Sequence, residues 1–202
     1  MKVIGITGGV GAGKSELLKY ISLKYNSGVI YSDNVANEIK KKGTKCYEKI
    51  VSLLGKTIVG EDGEIDKTKM AAMIFANDDL LYKVNDILHP AVEEYIDEKV
   101  SFESKENKLD FLFIEAALLI ESGYKEKVYE MWYVKASKDV RRKRLKESRG
   151  YSDSKIREIF DSQLSDEEFI KGSDFVIDND RDISFSEKEI DNRLEGILSG
   201  KY

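Results

Sequence analysis

The chain has 202 residues, 41% of them hydrophobic, and a formal net charge of −5 at pH 7. This length and apolar share fit one folded domain with small insertions. The acidic balance argues against a general nucleic-acid binder, which is usually basic. Cys46 is the only cysteine, which excludes an intrachain disulfide and indicates a reducing compartment. No run approaches the roughly 18 apolar residues of a membrane span. We therefore expect a cytoplasmic protein that binds neither nucleic acid nor membrane.

The first apolar run, residues 2–7, predicts a strand that leads directly into a phosphate-binding motif. Residues 8–15 read Gly-Gly-Val-Gly-Ala-Gly-Lys-Ser, a full match to G-x-x-x-x-G-K-[ST], and a helical pattern follows. Backbone N–H groups of such a loop curl around an anion, and the helix N-terminus adds partial positive charge. Lys14 can reach the β and γ phosphates of a nucleotide, and the Ser15 hydroxyl can ligate Mg²⁺. The predicted nucleotide-binding residues here are Gly9, Gly11, Ala12, Gly13, Lys14, Ser15 and Glu16.

The second apolar run, residues 28–32, is followed at once by Asp33. In this topology the carboxyl end of the strand is expected beside the phosphate loop. A carboxylate there can accept a proton from an attacking hydroxyl, or hold Mg²⁺ through water. Asp33 can equally cap a helix over 34–42, because aspartate is favoured at that place. Position alone leaves both interpretations open.

A long segment between the second and third apolar runs reads as almost entirely helical. Apolar residues recur there at helical spacing around Ile50, Met70 and Leu80. Pro90, the only proline, fits the first turn of a new helix over 91–100. An insertion at the carboxyl edge of a parallel sheet is where a substrate is recognised. We therefore predict a helical substrate-binding insertion.

The third apolar run, residues 110–115, ends in an acidic residue, Glu115. An acid that closes a buried strand is similar to the metal-side carboxylate of phosphate-loop proteins. It is also typical of a helix cap or a surface acid. We take Ser15 and Glu115 as the candidate Mg²⁺ ligands.

A basic segment, residues 138–149, follows the fourth apolar run, residues 130–135, and holds seven basic side chains. Arginines can bind phosphates bidentately and neutralise the charge that develops on a transferring phosphoryl group. A solvated helix face and a nucleic-acid patch are the alternatives, and the acidic total disfavours the second. On a chain that carries a nucleotide loop, we favour a mobile lid over 137–170 that closes over the phosphates.

The fifth apolar run, residues 174–178, precedes a final amphipathic helix, for which Ser186 and Glu189 form a capping-box pattern. The five runs are continuous rather than alternating, and helical segments separate them. This pattern predicts an α/β fold with a five-stranded parallel sheet flanked by helices. The predicted organisation is a nucleotide-binding core of residues 1–33, 101–136 and 171–202, a helical acceptor domain of residues 34–100, and a helical lid of residues 137–170.

Several short motifs are spread along nearly the whole chain. They are residues 7–15, Asp33 with Ala36, Ile74-Phe75-Ala76-Asn77, Leu88-His89-Pro90, Leu118-Leu119-Ile120-Glu121, Gln163, and Phe175-Val176-Ile177-Asp178-Asn179. With these motifs the chain closely resembles the dephospho-coenzyme A kinases. Many kinases share the phosphate loop, and the His-Pro segment and the Val-Ile-Asp-Asn ending favour this family among them.

The resemblance implies a P-loop kinase that transfers the γ-phosphoryl group of ATP, with Mg²⁺, to the 3′-hydroxyl of dephospho-CoA. This reaction is the last step of coenzyme A synthesis. By the same resemblance Asp33 is the general base, and the insertion 34–100 binds the acceptor. Arg141 and Arg144 are the catalytic arginines of the lid, and Arg149 binds the nucleotide.

Four features depart from the usual family pattern, and the first is Glu16, which stands where the family commonly has a small residue or threonine. Asn37 replaces a common arginine, Ala117 replaces a common proline, and one extra residue lies between Arg144 and Arg149. Two other functions fit the loop: a different small-molecule kinase, such as a nucleoside monophosphate kinase, and a non-catalytic nucleotide-binding regulator. We expect a monomer or a weak homo-oligomer.

Overall fold

The computed structural model describes all residues from Met1 to Tyr202. Contacts within the chain define two compact units. We call residues 1–29 with 107–202 the core unit, and residues 30–106 the helical unit. None of the helices combines the length and the apolar character that crossing a membrane requires.

Five strands form one sheet, and every predicted strand is confirmed to within one residue at each end. The strand order is β2-β3-β1-β4-β5, and β1 pairs in parallel with both β3 and β4, as β4 does with β5. The buried residues Ile4 and Ile6 lie on the central strand. The strands are β1 (Lys2–Thr7), β2 (Ser27–Tyr31), β3 (Phe111–Glu115), β4 (Glu130–Lys135) and β5 (Phe175–Asp178).

Nine α-helices and two short 3-10 turns connect the strands, as an α/β fold requires. In the core unit the first and last helices pack against each other, and the last also packs against β5. The helices are α1 (Lys14–Lys24), α2 (Ser32–Glu38), α3 (Lys45–Leu54), α4 (Lys67–Phe75), α5 (Asp78–Glu106), α6 (Lys138–Arg149), α7 (Asp153–Asp161), α8 (Asp166–Gly172) and α9 (Ile183–Leu198).

Aromatic side chains fill the centre of the core unit. The rings of Phe113 and Trp132 meet edge to face at 5.6 Å between centroids, and Trp132 meets Phe175 at 5.1 Å. These contacts link β3, β4 and β5, and each adds to the burial of apolar area. The resulting rigid sheet supports the loops at its carboxyl edge.

The helical unit differs from the prediction at Pro90. The sequence predicts a new helix at this residue, but Pro90 lies inside the single long helix α5. Proline removes one helical hydrogen bond and clashes with the preceding turn. Helices α2, α3 and α4 all pack against α5, and buried Val84 and Ile96 stand on either side of Pro90. Tertiary packing therefore holds α5 together where the local sequence favours a break.

Two other helix starts also differ from the prediction. Helix α2 begins at Ser32 and ends at Glu38, rather than covering 34–42. Helix α9 begins at Ile183, because the side chain of Asp182 accepts a hydrogen bond from the Ser184 N–H and caps the helix there. The capping box at Ser186 is therefore wrong, and that residue is buried within the helix.

A buried ion pair joins the start of β4 to α9. Glu130 accepts hydrogen bonds from Arg193 at 2.6 and 3.1 Å and from the indole N–H of Trp132 at 2.7 Å. The Glu130 side chain is only 7% exposed. A carboxylate this buried is stable only while its partners remain, since an unpaired buried charge is strongly unfavourable.

We predict that Arg193→Met lowers the free energy of unfolding by about 3–5 kcal/mol, because it leaves Glu130 buried without its cation. Urea denaturation followed by Trp132 fluorescence measures the change in the core unit. Lys155→Ala is the control, since it breaks an exposed pair with Glu158 and costs at most about 0.5 kcal/mol. Equal effects of the two variants would contradict a buried pair at Glu130.

Candidate nucleotide-binding site

The predicted phosphate loop joins the end of β1 to the start of α1. Gly13, the residue before α1, has a φ of 98°, a conformation that side chains other than glycine rarely adopt. A Cβ at this position would also overlap the side-chain amide of Asn179. Both constraints require glycine at this position. Glycine allows the loop to lie directly against Asn179, in the chain segment that follows β5.

Several backbone N–H groups of the loop have no acceptor within the protein. The Ala12 N–H donates to the Gly9 carbonyl at 3.0 Å, and the Glu16 N–H donates to the Gly13 carbonyl at 3.1 Å. The N–H groups of Gly11, Gly13 and Ser15 make no such bond. Unpaired donors at a helix N-terminus form a binding site for an anion such as phosphate.

The carbonyl oxygen of Ala12 accepts two hydrogen bonds from side chains outside the loop. The amide of Asn179 donates at 2.7 Å and the guanidinium of Arg144 at 3.0 Å. A second nitrogen of Arg144 donates to the Asn179 carbonyl at 2.8 Å. Because the peptide group is planar and trans, its N–H points in the direction opposite to its carbonyl. The N–H of Gly13 is therefore directed away from Asn179 and Arg144.

A buried serine fixes the side chain of Asn179 in turn. The Ser186 hydroxyl lies 2.9 Å from both the Oδ1 of Asn179 and the carbonyl of Asp178. Asn179 is 3% exposed and Ser186 is fully buried. The side-chain amide of Asn179 is thereby oriented with its nitrogen toward Ala12.

Lys14 and Glu115, both predicted site residues, lie together in the structure. The Lys14 ammonium donates to the Gly8 carbonyl at 2.8 Å and lies 3.4 Å from a carboxylate oxygen of Glu115. Glu115 is the last residue of β3 and is half-buried. The ammonium therefore stands between the start of the loop and an acidic side chain at the neighbouring strand end.

Arg141 is buried against the loop at Gly9 and Val10. Its Nε donates to the Val10 carbonyl at 2.9 Å, and another nitrogen donates to the side-chain oxygen of Gln163. The guanidinium also lies over the ring of Phe160, 4.4 Å from its centroid, and a Cβ on Gly9 would overlap it. Burial lowers the pKa of Arg141 from its usual range.

The predicted lid residues belong to the core unit. Leu145 on α6 packs with Ile156 and Phe160 on α7, and Val10 of the loop packs against the same cluster. Arg149 is exposed at the end of α6, with its guanidinium 5.8 Å from the ring centre of Tyr151. Arg141 and Arg144 therefore contact the loop, whereas Arg149 faces solvent.

Three remaining site residues are exposed at helix starts. Ser15 and Glu16 lie in the first turn of α1. Asp33 lies in the first turn of α2, within the helical unit. The residue that caps α2 is Tyr31, so the interpretation of Asp33 as a helix cap is wrong.

Comparison with known proteins gives a family for this fold and loop. The sequence model of the dephospho-CoA kinases matches residues 2–184. The chain belongs to the dephospho-CoA kinase family. A dephospho-CoA kinase of Carboxydothermus hydrogenoformans is 31% identical over 190 residues, which cover 94% of this chain and 91% of that protein.

Solved structures of this family and of a second kinase family share the fold. A dephospho-CoA kinase from Campylobacter jejuni superposes with a TM-score of 0.73 at 24% identity, covering 99% of this chain and 98% of that one. A shikimate kinase from Bacteroides thetaiotaomicron gives a TM-score of 0.57 at 16% identity, covering 98% of each chain. The α/β P-loop kinase fold predicted from the sequence is confirmed.

Sequence patterns do not reveal the side chains that shape the loop from outside. Asn179 and Gln163 belong to family motifs to which no role was assigned from the sequence, and Ser186 was predicted only as a helix cap. Each acts through a contact with a residue far away in the sequence, which no local pattern reveals. The sequence offered one indication of such a contact, which is that the polar Ser186 stands on the apolar face of α9 with Ile190 and Leu194.

We predict that Ser186→Ala lowers the free energy of unfolding by about 1–3 kcal/mol, because the buried Oδ1 of Asn179 and the Asp178 carbonyl lose the hydroxyl whose one hydrogen they share. Urea denaturation followed by Trp132 fluorescence measures the loss. Ser199→Ala is the control at the other end of the same helix, where the serine is exposed, and it should change stability by less than about 0.5 kcal/mol. A Ser186→Ala variant as stable as the control would mean that the hydroxyl does not support Asn179.

Proposed function

We propose that this protein transfers the γ-phosphoryl group of ATP to the 3′-hydroxyl of dephospho-CoA, which yields coenzyme A and ADP. The observation that carries the proposal is a family match over residues 2–184 on a chain whose phosphate loop is complete. The unpaired N–H groups of Gly11, Gly13 and Ser15 support nucleotide binding at that loop. Phosphoryl transfer depends mainly on positioning and charge neutralisation, which a loop of this kind supplies.

In this proposal the polyphosphate of ATP lies along the loop. The ammonium group of Lys14 then moves to contact the γ-phosphoryl group that is transferred. In the structure the ammonium donates a hydrogen bond to the Gly8 carbonyl and pairs with the Glu115 carboxylate. Phosphate oxygens can replace both acceptors. Charge that develops on the γ-phosphoryl oxygens is then stabilised by a cation that the protein already holds close.

The donor set fits Mg²⁺, which prefers oxygen ligands and keeps several waters. No cluster of three or more His, Cys, Asp or Glu side chains could hold a metal alone. A site built from the Ser15 hydroxyl, the Glu115 carboxylate and nucleotide phosphates matches the way Mg²⁺ is bound in kinases. When bound, the ion would neutralise charge on the phosphates.

Asp33 is the proposed general base, and residues 34–100 are the proposed acceptor domain. Asp33 follows β2 directly, and its side chain is exposed in the first turn of α2. An exposed carboxylate with no helix-capping role is available to orient a hydroxyl and accept its proton. The acceptor would enter over the helical unit, so that its 3′-hydroxyl reaches Asp33.

The proposed lid, residues 137–170, supplies arginines to the phosphates. Arg144 already contacts the loop at Ala12, and Arg141 at Val10. Closure of Arg149 from its exposed position would add a further cation and exclude water, which competes as an acceptor. The closed lid would thus keep water from competing with the bound acceptor for the phosphoryl group.

The test is ADP formation from MgATP with dephospho-CoA, AMP, dTMP and adenosine as separate acceptors. We expect turnover with dephospho-CoA and formation of coenzyme A, with far slower reaction of the other acceptors. Turnover with AMP or dTMP alone would indicate a nucleoside monophosphate kinase. ATP binding without turnover of any acceptor would indicate a regulator.

We predict that Lys14→Ala lowers kcat/KM by a factor that corresponds to about 3–4 kcal/mol, the size of one lost electrostatic contact in the transition state. Steady-state kinetics with dephospho-CoA measures the loss. Lys19→Ala, on the exposed face of α1, is the control and should retain wild-type rates. Near-normal activity of Lys14→Ala would show that the loop has been misinterpreted.

We predict that Asp33→Asn binds ATP as tightly as the wild type but turns over about 10²–10⁴-fold more slowly, because the hydroxyl loses its proton acceptor. Calorimetric titration with ATP and single-turnover kinetics separate the two effects. Glu38→Gln, at the other end of α2, removes an exposed carboxylate and serves as the control. Unchanged turnover of Asp33→Asn would rule out this residue as the base.

A further inference from the structure

The helical unit contains a cavity of about 310 Å³ between the end of α2 and the start of α4. Three of its lining residues are lysines and only one is acidic, although the whole chain carries a net negative charge. The polar lining residues are Asn37, Lys40, Lys41, Glu64 and Lys67.

Two of these charged side chains are already engaged by neighbours. Lys41 forms an ion pair of 2.7 Å with Glu38. Glu64 accepts a hydrogen bond of 2.9 Å from the backbone N–H of Lys42. Glu38 therefore compensates the charge of Lys41, whereas Glu64 keeps its negative charge, and three lysines against one carboxylate leave the lining positive.

Lys40 and Lys67 differ from them, because neither forms an ion pair or a side-chain hydrogen bond. Lys40 is half-buried, and its pKa is lowered by this burial and by the nearby charge of Lys67. Two ammonium groups that face one cavity repel each other, and burial of an unpaired cation is unfavourable. An anion in the cavity would relieve both costs.

The rest of the lining indicates what else the anion carries. The amide of Asn37 offers a further hydrogen-bond donor. Ile65 and the buried Met70 form an apolar wall. A ligand with a phosphate group and a less polar arm matches this combination.

The position of Lys40 relative to Asp33 indicates which phosphate-containing ligand the cavity would bind. Asp33 lies in the first turn of α2 and Lys40 two residues beyond the end of this helix at Glu38, so about two helical turns, roughly 10 Å, separate their backbones. In dephospho-CoA the 3′-hydroxyl and the 5′-diphosphate are attached to the same ribose. An anion site near the proposed base is therefore where that diphosphate would lie.

We propose that Lys40 and Lys67 bind the diphosphate of the acceptor, with Asn37 as an additional donor and Met70 beside the pantetheine arm. This assignment rests on the proposed function. It makes the two lysines binding residues for the acceptor and gives them no part in the chemical step.

The experiment is steady-state kinetics with the full-length protein and three variants, Lys40→Gln, Lys67→Gln and the charge-matched control Lys69→Gln. Lys69 is exposed on the same helix as Lys67, forms its own ion pair with Asp66, and does not line the cavity. We expect each cavity variant to raise the KM for dephospho-CoA by about tenfold or more, with kcat and the KM for ATP within about threefold of wild type. Lys40→Arg and Lys67→Arg should restore a KM close to the wild-type value.

The outcomes separate this assignment from the proposed function. Wild-type turnover of dephospho-CoA with cavity variants that match Lys69→Gln would overturn the diphosphate site and leave the function intact. A fall in kcat at unchanged KM would also overturn it, since the lysines would then act on chemistry or folding. Absence of wild-type turnover with dephospho-CoA would overturn both.

Discussion

The orientation of one peptide group, between Ala12 and Gly13, is the constraint on which the candidate site depends. Its carbonyl is held from outside the loop by Asn179 and Arg144, which come from separate elements of the core unit. Because the peptide is planar, anchoring the oxygen also directs the N–H of Gly13 away from those side chains. The loop thus keeps donors unpaired before any phosphate arrives, and binding then requires little reorganisation.

This anchoring connects the loop to the sheet. The N–H of Asn179 donates to the Lys135 carbonyl at 2.8 Å, so the residue extends the pairing of β5 with β4. Ser186 on α9 then fixes the side chain of Asn179. The pairing of β4 with β5 and the position of the final helix therefore both influence the geometry at Ala12. The local density of cations at the loop also explains how an acidic chain can bind a polyphosphate, since Lys14, Arg141 and Arg144 all contact it.

Features set by local sequence were predictable, and features set by tertiary contacts were not. The five strands and the phosphate loop follow from continuous apolar runs and from one motif, and the structure confirms them. The path of α5 through Pro90 was mispredicted, because packing against three helices outweighs the local preference of proline. The capping-box pattern at Ser186 was misleading for a related reason. Asp182 caps the helix one turn earlier, and a true capping box occurs at Ser165 and Glu168.

The same distinction applies to the site. Lys14 and Glu115 were predicted as separate residues, and the pairing of β1 with β3 brings the first residue of α1 close to the last residue of β3. The hydrogen bonds that Arg144 and Asn179 make to Ala12 join residues more than a hundred positions apart in the chain. Sequence patterns of short range carry no information about such pairs, which depend on the order of the strands in the sheet.

The most direct measurement is ³¹P NMR of a reaction that contains the protein, MgATP and dephospho-CoA. The account predicts that the γ-phosphate signal of ATP disappears as ADP forms, while one new phosphomonoester signal, that of the 3′-phosphate of coenzyme A, grows in equal amount. Release of inorganic phosphate with dephospho-CoA unchanged would contradict the account, because the loop would then deliver the phosphoryl group to water instead of the 3′-hydroxyl.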